Sequence, residues 1–184
     1  MKGKIQFDSG FVLLVGVVFF SLQWKEAIAL FVAAALHEMG HVLAFSLFGV
    51  HMNGVRFTFS GPVLLYEQPN SGRVILCTAL AGPAAGLLAA FVFRTAWPLC
   101  AKVSLLLSFF NLLPVLPLDG GRAIAALCRG SRNRILSVIG FIVPIASMIA
   151  SLFFTYLGKN GFGLFLFGAW LLLLSCQEQY FDVK

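Results

Sequence analysis

Residues 27–50, AIALFVAAALHEMGHVLAFSLFGV, are apolar throughout except for His37, Glu38, His41 and Ser46. A stretch of this length is enough to cross a bilayer as one helix, which takes about 20 residues. A charge near the middle of such a span costs about 2.5–3.5 kcal/mol on insertion scales. His37-Glu38-Met39-Gly40-His41 therefore needs a reason to be there. On a helix, positions i and i+4 stack on one face. His37 and His41 can thus turn ring nitrogens toward one tetrahedral metal, with Glu38 beside them and able to reach a water at that metal. Zinc in that place lowers the pKa of water toward about 7 and polarises a carbonyl. Glu38 is then placed to take the water's proton and pass it to a leaving amine. Gly40 keeps one side of the helix open for close approach. The bland alternative is three polar residues satisfying one another inside a bundle, but a single polar pair would serve that purpose.

The rest of the chain supports a membrane setting. Of its 184 residues, 60% are hydrophobic and 11% charged, and the mean hydropathy is +0.94. Soluble domains average about 45–50% apolar and about 25% charged. The net charge of +6 is small and spread over loops and helix ends, which suits a membrane surface and gives no basis for nucleic-acid binding. Cys77, Cys100, Cys128 and Cys176 are widely separated and form no CxxC pair; three of them sit in or beside apolar segments, where Cys is commonly a small buried hydrophobe, and none is given a functional role. Lys2 and Lys4 precede an apolar run that lacks a small-x-small cleavage site. That run reads as an uncleaved first membrane helix and not as a signal peptide.

The hydropathy predicts an all-α polytopic membrane protein, one domain over residues 1–184, with about six spans at 11–24, 27–50, 74–93, 97–113, 135–157 and 162–177. Between the second and third, residues 54–66 partly alternate and are split by Gly61-Pro62, which predicts a short β-hairpin lying against the membrane or dipping into it. With the N-terminus in the cytoplasm, Lys2, Lys4, Arg56, Arg73, Arg122, Arg129, Arg132, Arg134 and Lys184 fall inside, and Lys25, Arg94, Lys102 and Lys159 outside. The positive-inside rule then favours cytoplasmic N- and C-termini. In that topology the second and fourth spans run in the same direction, so His37–His41 and Pro114–Gly121 come to a similar depth on the cytoplasmic side.

A catalytic zinc usually takes three protein ligands. Glu26 sits at the far end of the second span, His51 lies about 15 Å further along if the helix continues, and Glu67 is in the polar interlude. Asp119, in Asn111-Leu-Leu-Pro-Val-Leu-Pro-Leu-Asp-Gly-Gly-Arg122, follows two prolines that force an extended path back toward the bundle. As an isolated residue Asp119 reads equally well as the N-cap of a helix over Gly120–Cys128. A metal site lacking one ligand at the same depth favours ligation.

His37-Glu38-x-x-His41 in a span, followed by Asn111-x-x-Pro-x-x-Pro-Leu-Asp119-Gly-Gly, resembles the site-2 protease family of intramembrane zinc metalloproteases, nearest its bacterial branch around stage IV sporulation protein FB. Ala81-Gly-Pro-Ala-Ala-Gly86 matches a Gly-rich packing segment of that family. The resemblance implies one Zn2+ per chain held by His37, His41 and Asp119, water activation by Glu38, and a place near the site for Asn111, orienting the substrate carbonyl. It implies regulated intramembrane proteolysis in a bacterial cell membrane, on a membrane protein or membrane-associated pro-protein, with a regulatory membrane partner. Two departures are visible. Relatives often carry Asn where this chain has Gly86, and many carry a PDZ or CBS module that this sequence does not show.

Two matters stay open at this level. Val55–Tyr66 can pair with an unwound substrate by β-addition, or can be a surface loop shielding the bundle. The rival function is a non-hydrolytic metal-binding membrane protein, either a cation carrier or an inactive homologue serving as a membrane chaperone. A carrier needs polar residues along several spans, whereas here they cluster on one side. An inactive homologue normally lacks one of the four key residues, and all four are present.

Overall fold

The computed structural model describes residues 4–59, 61–127, 132–157, 165–173 and 175. The chain divides into two compact units, Met1–Asn111 and Leu112–Lys184. The first holds a three-stranded sheet and four helices: β1 (Lys4–Phe7), α1 (Ser9–Ser21), α2 (Trp24–Leu47), β2 (Met52–Thr58), β3 (Gly61–Tyr66), α3 (Gly72–Phe93) and α4 (Pro98–Asn111).

The long apolar helix α2 opens on a capping box. Glu26 Oε2 accepts the Gln23 backbone N–H at 2.9 Å while the Gln23 side chain accepts the N–H of the third helical residue, which satisfies two end donors at once. Ala29, Ala33, His37, His41 and Phe45 are buried, and their spacing of four draws a single stripe along α2. Against that helix α3 buries Thr78, Ala79, Gly82, Pro83, Gly86 and Ala89, and α4 buries Cys100, Ala101, Ser104 and Ser108. These are small residues. Lipid tails give helices no hydrophobic reason to associate, so close packing through small side chains has to hold them. A Cβ on Gly40 would stand 2.4 Å from the Ala81 carbonyl oxygen and 2.6 Å from Ala85 Cβ, so α2 and α3 are already at their closest approach there.

The expected hairpin is present as β2 and β3, antiparallel, with Thr58 opposite Gly61. Gly61 takes φ +108 at the turn, a conformation open to glycine alone at little cost. The expectation of an all-helical N-terminus needs one correction. Lys4–Phe7 forms a strand parallel to β2, in the order β1-β2-β3. Lys-Ile-Gln-Phe does alternate, but four residues running into an apolar helix give too short a pattern to separate from it. The strand is fixed by Phe7 stacked on Phe57 at 5.0 Å, with Phe11 of α1 closing over Phe57 at 5.1 Å.

Helix bounds match the expected spans to within a few residues, with informative differences. The first helix ends at Ser21, where Leu22 turns extended before α2 begins. The fourth ends at Asn111, whose Nδ2 folds back to the Leu107 carbonyl at 3.0 Å; Pro114 lies too close ahead for the helix to continue. At 1.5 Å per residue these helices run about 20 Å, short of a hydrocarbon core of about 30 Å. Among the described residues, two of the six expected spans, α2 and α3, are long and apolar enough to cross a membrane.

The second unit contains α5 (Asp119–Leu127) and α6 (Arg132–Tyr156), with further helix at residues 165–173. The ends of the last expected span, at 162–164 and 176–177, lie outside the described residues, as does the C-terminus. Gly168 packs against Pro144 O, Ser147 Oγ and Met148, which seats that helix on α6 at its internal proline. Leu171 is fully buried.

The α2–α3 contact generates a paired expectation. Gly40→Ala should destabilise the protein by about 1–3 kcal/mol, since backbone has to move to admit the methyl. Gly16→Ala, with nothing within 4 Å, should be neutral or gain up to about 1 kcal/mol of helix propensity. Thermal unfolding of the two variants in detergent measures the contrast.

Candidate metal centre

His37 and His41 are each 4% exposed, one turn apart on the buried stripe of α2. Their Nε2 atoms are 3.3 Å apart and the rings meet edge-on at 75°. The orientation of His41 is imposed from α3. Its Nδ1 lies 2.8 Å from the Thr78 main-chain oxygen. A carbonyl can only accept, so Nδ1 carries the proton and donates it, and Nε2 of the neutral ring presents a lone pair. A backbone carbonyl behind the far nitrogen is the usual support of a metal-binding histidine. The separation fits as well. With metal–nitrogen bonds of about 2.0–2.1 Å, tetrahedral geometry puts two ligand nitrogens about 3.3–3.4 Å apart, as these are.

Glu38 is half-buried, one residue round the helix from His37, and Met39 beyond it is exposed. Phe45, one turn after His41, is 1% exposed and packs on Tyr66 at the end of β3, with ring centroids 4.5 Å apart. The hairpin is thereby tied to the helix that carries the histidines.

The other candidates fall out as follows. Glu26 is engaged in the capping box, and His51 and Glu67 are exposed, the Glu67 N–H donating to the His51 carbonyl at 3.0 Å. Asn111 closes the end of α4. Asp119 belongs to the second unit, where it is 6% exposed and opens α5 as its first helical residue. The Arg122 guanidinium faces its Oδ1 at 3.4 Å, one turn on. The Pro-rich approach is folded tightly: Val115 is fully buried, the Leu118 N–H donates to the Val115 carbonyl at 2.9 Å and the Leu116–Pro117 peptide is cis. A Cβ on Gly120 would strike the Leu112 carbonyl, and one on Gly121 the Val115 carbonyl. Asp-Gly-Gly is thus a carboxylate followed by two residues of bare backbone against which the proline loop lies.

Two supporting residues were not legible as such in the sequence. Thr78 contributes a main-chain oxygen, a group every residue possesses, so its identity carries no signal; its hydroxyl serves α3 itself, donating to Val74 O at 2.8 Å. Gly82 lies against His41, with a Cβ there falling 2.1 Å from Nε2. Its signal was the Ala81–Gly86 packing segment, which marks close approach without saying what approaches.

Comparison with known proteins agrees with this architecture. Residues 93–155 match the profile of peptidase family M50. The Mycobacterium tuberculosis protein Rip3, whose name assigns it provisionally to the zinc metalloproteases, is 32% identical over an alignment covering 86% of this chain and 45% of its own. Zinc metalloprotease MJ0392 of Methanocaldococcus jannaschii is 31% identical over 54% of this chain and 33% of its own length. The chain spans less than half the length of either relative. The solved site-2 protease of Methanocaldococcus jannaschii superposes with a TM-score of 0.70 at 22% identity, covering 95% of this chain and 89% of that one. The chain has the site-2 protease fold and is a relative of the peptidase family M50 zinc metalloproteases.

The tautomer is open to direct measurement. There are three histidines, so ¹⁵N-histidine labelling with His→Ala variants assigns every ring. In metal-free protein His41 should appear as the Nδ1–H form. The opposite tautomer would remove the Thr78 hydrogen bond from the site.

Proposed function

We propose that this chain is an intramembrane zinc endopeptidase that cleaves a membrane protein, or membrane-associated pro-protein, in or beside its membrane segment. The observation that carries the reading is the His37–His41 nitrogen pair at tetrahedral-ligand spacing, with Glu38 adjacent, inside a helix long and apolar enough to span a bilayer. Asp119 supplies the third ligand. It is a buried carboxylate in the expected Asp-Gly-Gly setting, with Arg122 facing its Oδ1. The ligand set of two imidazoles and one carboxylate is one that zinc takes in catalytic sites. The relatives named as zinc metalloproteases point to the same ion.

Bound zinc would polarise the scissile carbonyl and acidify water close to neutrality. The chain's own residues would do the rest. Glu38 accepts the proton as water adds to the carbonyl carbon, then returns it to the amine as the C–N bond breaks. Asn111, at the end of α4, orients the substrate carbonyl. A substrate helix hides its carbonyls in its own hydrogen bonds and must unwind first. The unwound segment adds to the edge strand β3, a reading supported by the packing of Tyr66 on Phe45, one turn from His41.

The two units act as one catalytic domain in this proposal, within a six-span arrangement whose termini are both cytoplasmic. The Lys and Arg distribution supports that orientation. A separate membrane protein regulates access.

The test uses purified full-length chain in detergent, zinc analysis, and a panel of single-span membrane peptides as substrates. Glu38→Gln should keep its zinc and lose cleavage by about 10²–10⁴-fold. His37→Ala and Asp119→Ala should both lose zinc. Full cleavage by Glu38→Gln would remove Glu38 as the base, and unchanged zinc in Asp119→Ala would remove it from the ligand set.

A further inference from the structure

We infer that Gly82 is a positioning residue for the metal centre, acting through His41; this rests on the proposed zinc reading of the His37–His41 pair. Thr78 and Gly82 are four residues apart, so α3 presents both to α2 on one face. The Thr78 oxygen fixes one nitrogen of the His41 ring, at 2.8 Å. Gly82 receives the other side of the same ring. A carbon added at Gly82 would lie 2.1 Å from Nε2 and 2.6 and 2.7 Å from Cε1 and Cδ2.

Those three distances locate the missing carbon. Had it stood in line with the Nε2 lone pair, its distances to Cε1 and Cδ2 would exceed that to Nε2 by close to a full ångström. The observed excess is only about half of that, which places it over the face of the ring at its Nε2 edge. Gly82 therefore supports the imidazole from beneath and leaves the lone-pair direction open toward the Nε2 of His37, 3.3 Å away. Any side chain at position 82 lifts the ring. The rigid hydrogen bond at Nδ1 then converts that lift into a tilt of Nε2 out of ligand geometry. The other glycine contact of α3 differs: a carbon at Gly86 would meet Ser108 Oγ on α4, a hydroxyl that donates to the Ser104 carbonyl at 2.8 Å, and not a ring of the histidine pair.

Gly82→Ala and Gly86→Ala therefore separate metal positioning from helix packing. Zinc affinity, measured by chelator competition on the purified full-length chain, should fall about 10–100-fold in Gly82→Ala, the scale of a lost support behind a ligand. It should stay within about twofold in Gly86→Ala. Equal losses in both, or wild-type affinity in Gly82→Ala, would overturn the inference. A stability cycle in zinc-free protein covers the case in which Gly82→Ala folds poorly. The cost of Gly82→Ala should largely vanish in a His41→Ala background, because the clash partner is gone. The same cost in both backgrounds would assign Gly82 to backbone packing alone. If wild-type protein binds no zinc, the metal reading fails, and the cycle still decides whether Gly82 acts on His41.

Discussion

An imidazole placed in an apolar helix has two nitrogens to satisfy and no water to do it. Left unpaired, a polar group in such surroundings costs several kcal/mol. Much of the first unit can be read as the answer to that cost at His41. One nitrogen is met by a main-chain oxygen of α3 at 2.8 Å, the other faces its neighbour on α2 at 3.3 Å. For a carbonyl to come that close, the two helices must touch at backbone level. Hence Gly40 faces Ala81 and Ala85, and Gly82 faces the ring itself. The small residues along α2 and α3 are a condition of the site as much as a packing preference.

The second unit solves a related problem with the same means. Asp119 has to emerge at a defined place from a chain that has just left a helix. Prolines 114 and 117 deny helical continuation, and Gly120 and Gly121 let the loop lie directly on the first turn of α5. Arg122 then faces one carboxylate oxygen. In both units glycine lets backbone come close, to the His41 ring in the first and to the first turn of α5 in the second.

This distinction explains what the sequence disclosed. Local pattern was legible: His37 and His41 lie one helical turn apart on α2, and the hairpin marked by Gly61-Pro62 is present as β2 and β3. Long apolar segments were legible to within a few residues. What escaped was support supplied by the main chain. Thr78 acts through a carbonyl that carries no residue signature, and β1 is four residues whose alternation merges with the helix that follows. The ends of α1 and α4 were legible only to within a few residues, since hydropathy counts apolar residues and does not register where Leu22 turns extended or where Asn111 folds back on Leu107.

Backbone support has a consequence for how such a centre tolerates change. A hydrogen bond from a side chain is lost with that side chain, whereas the Thr78 oxygen survives any substitution at residue 78 that keeps α3 in place. The orientation of His41 is therefore insulated from most of its surroundings. It is exposed where bare backbone is the required feature, at Gly82 beneath the ring and at Gly40 where the helices meet. A larger apolar residue at either position would gain helix propensity. Neither the solvent nor the secondary structure demands glycine there; the seat of His41 does.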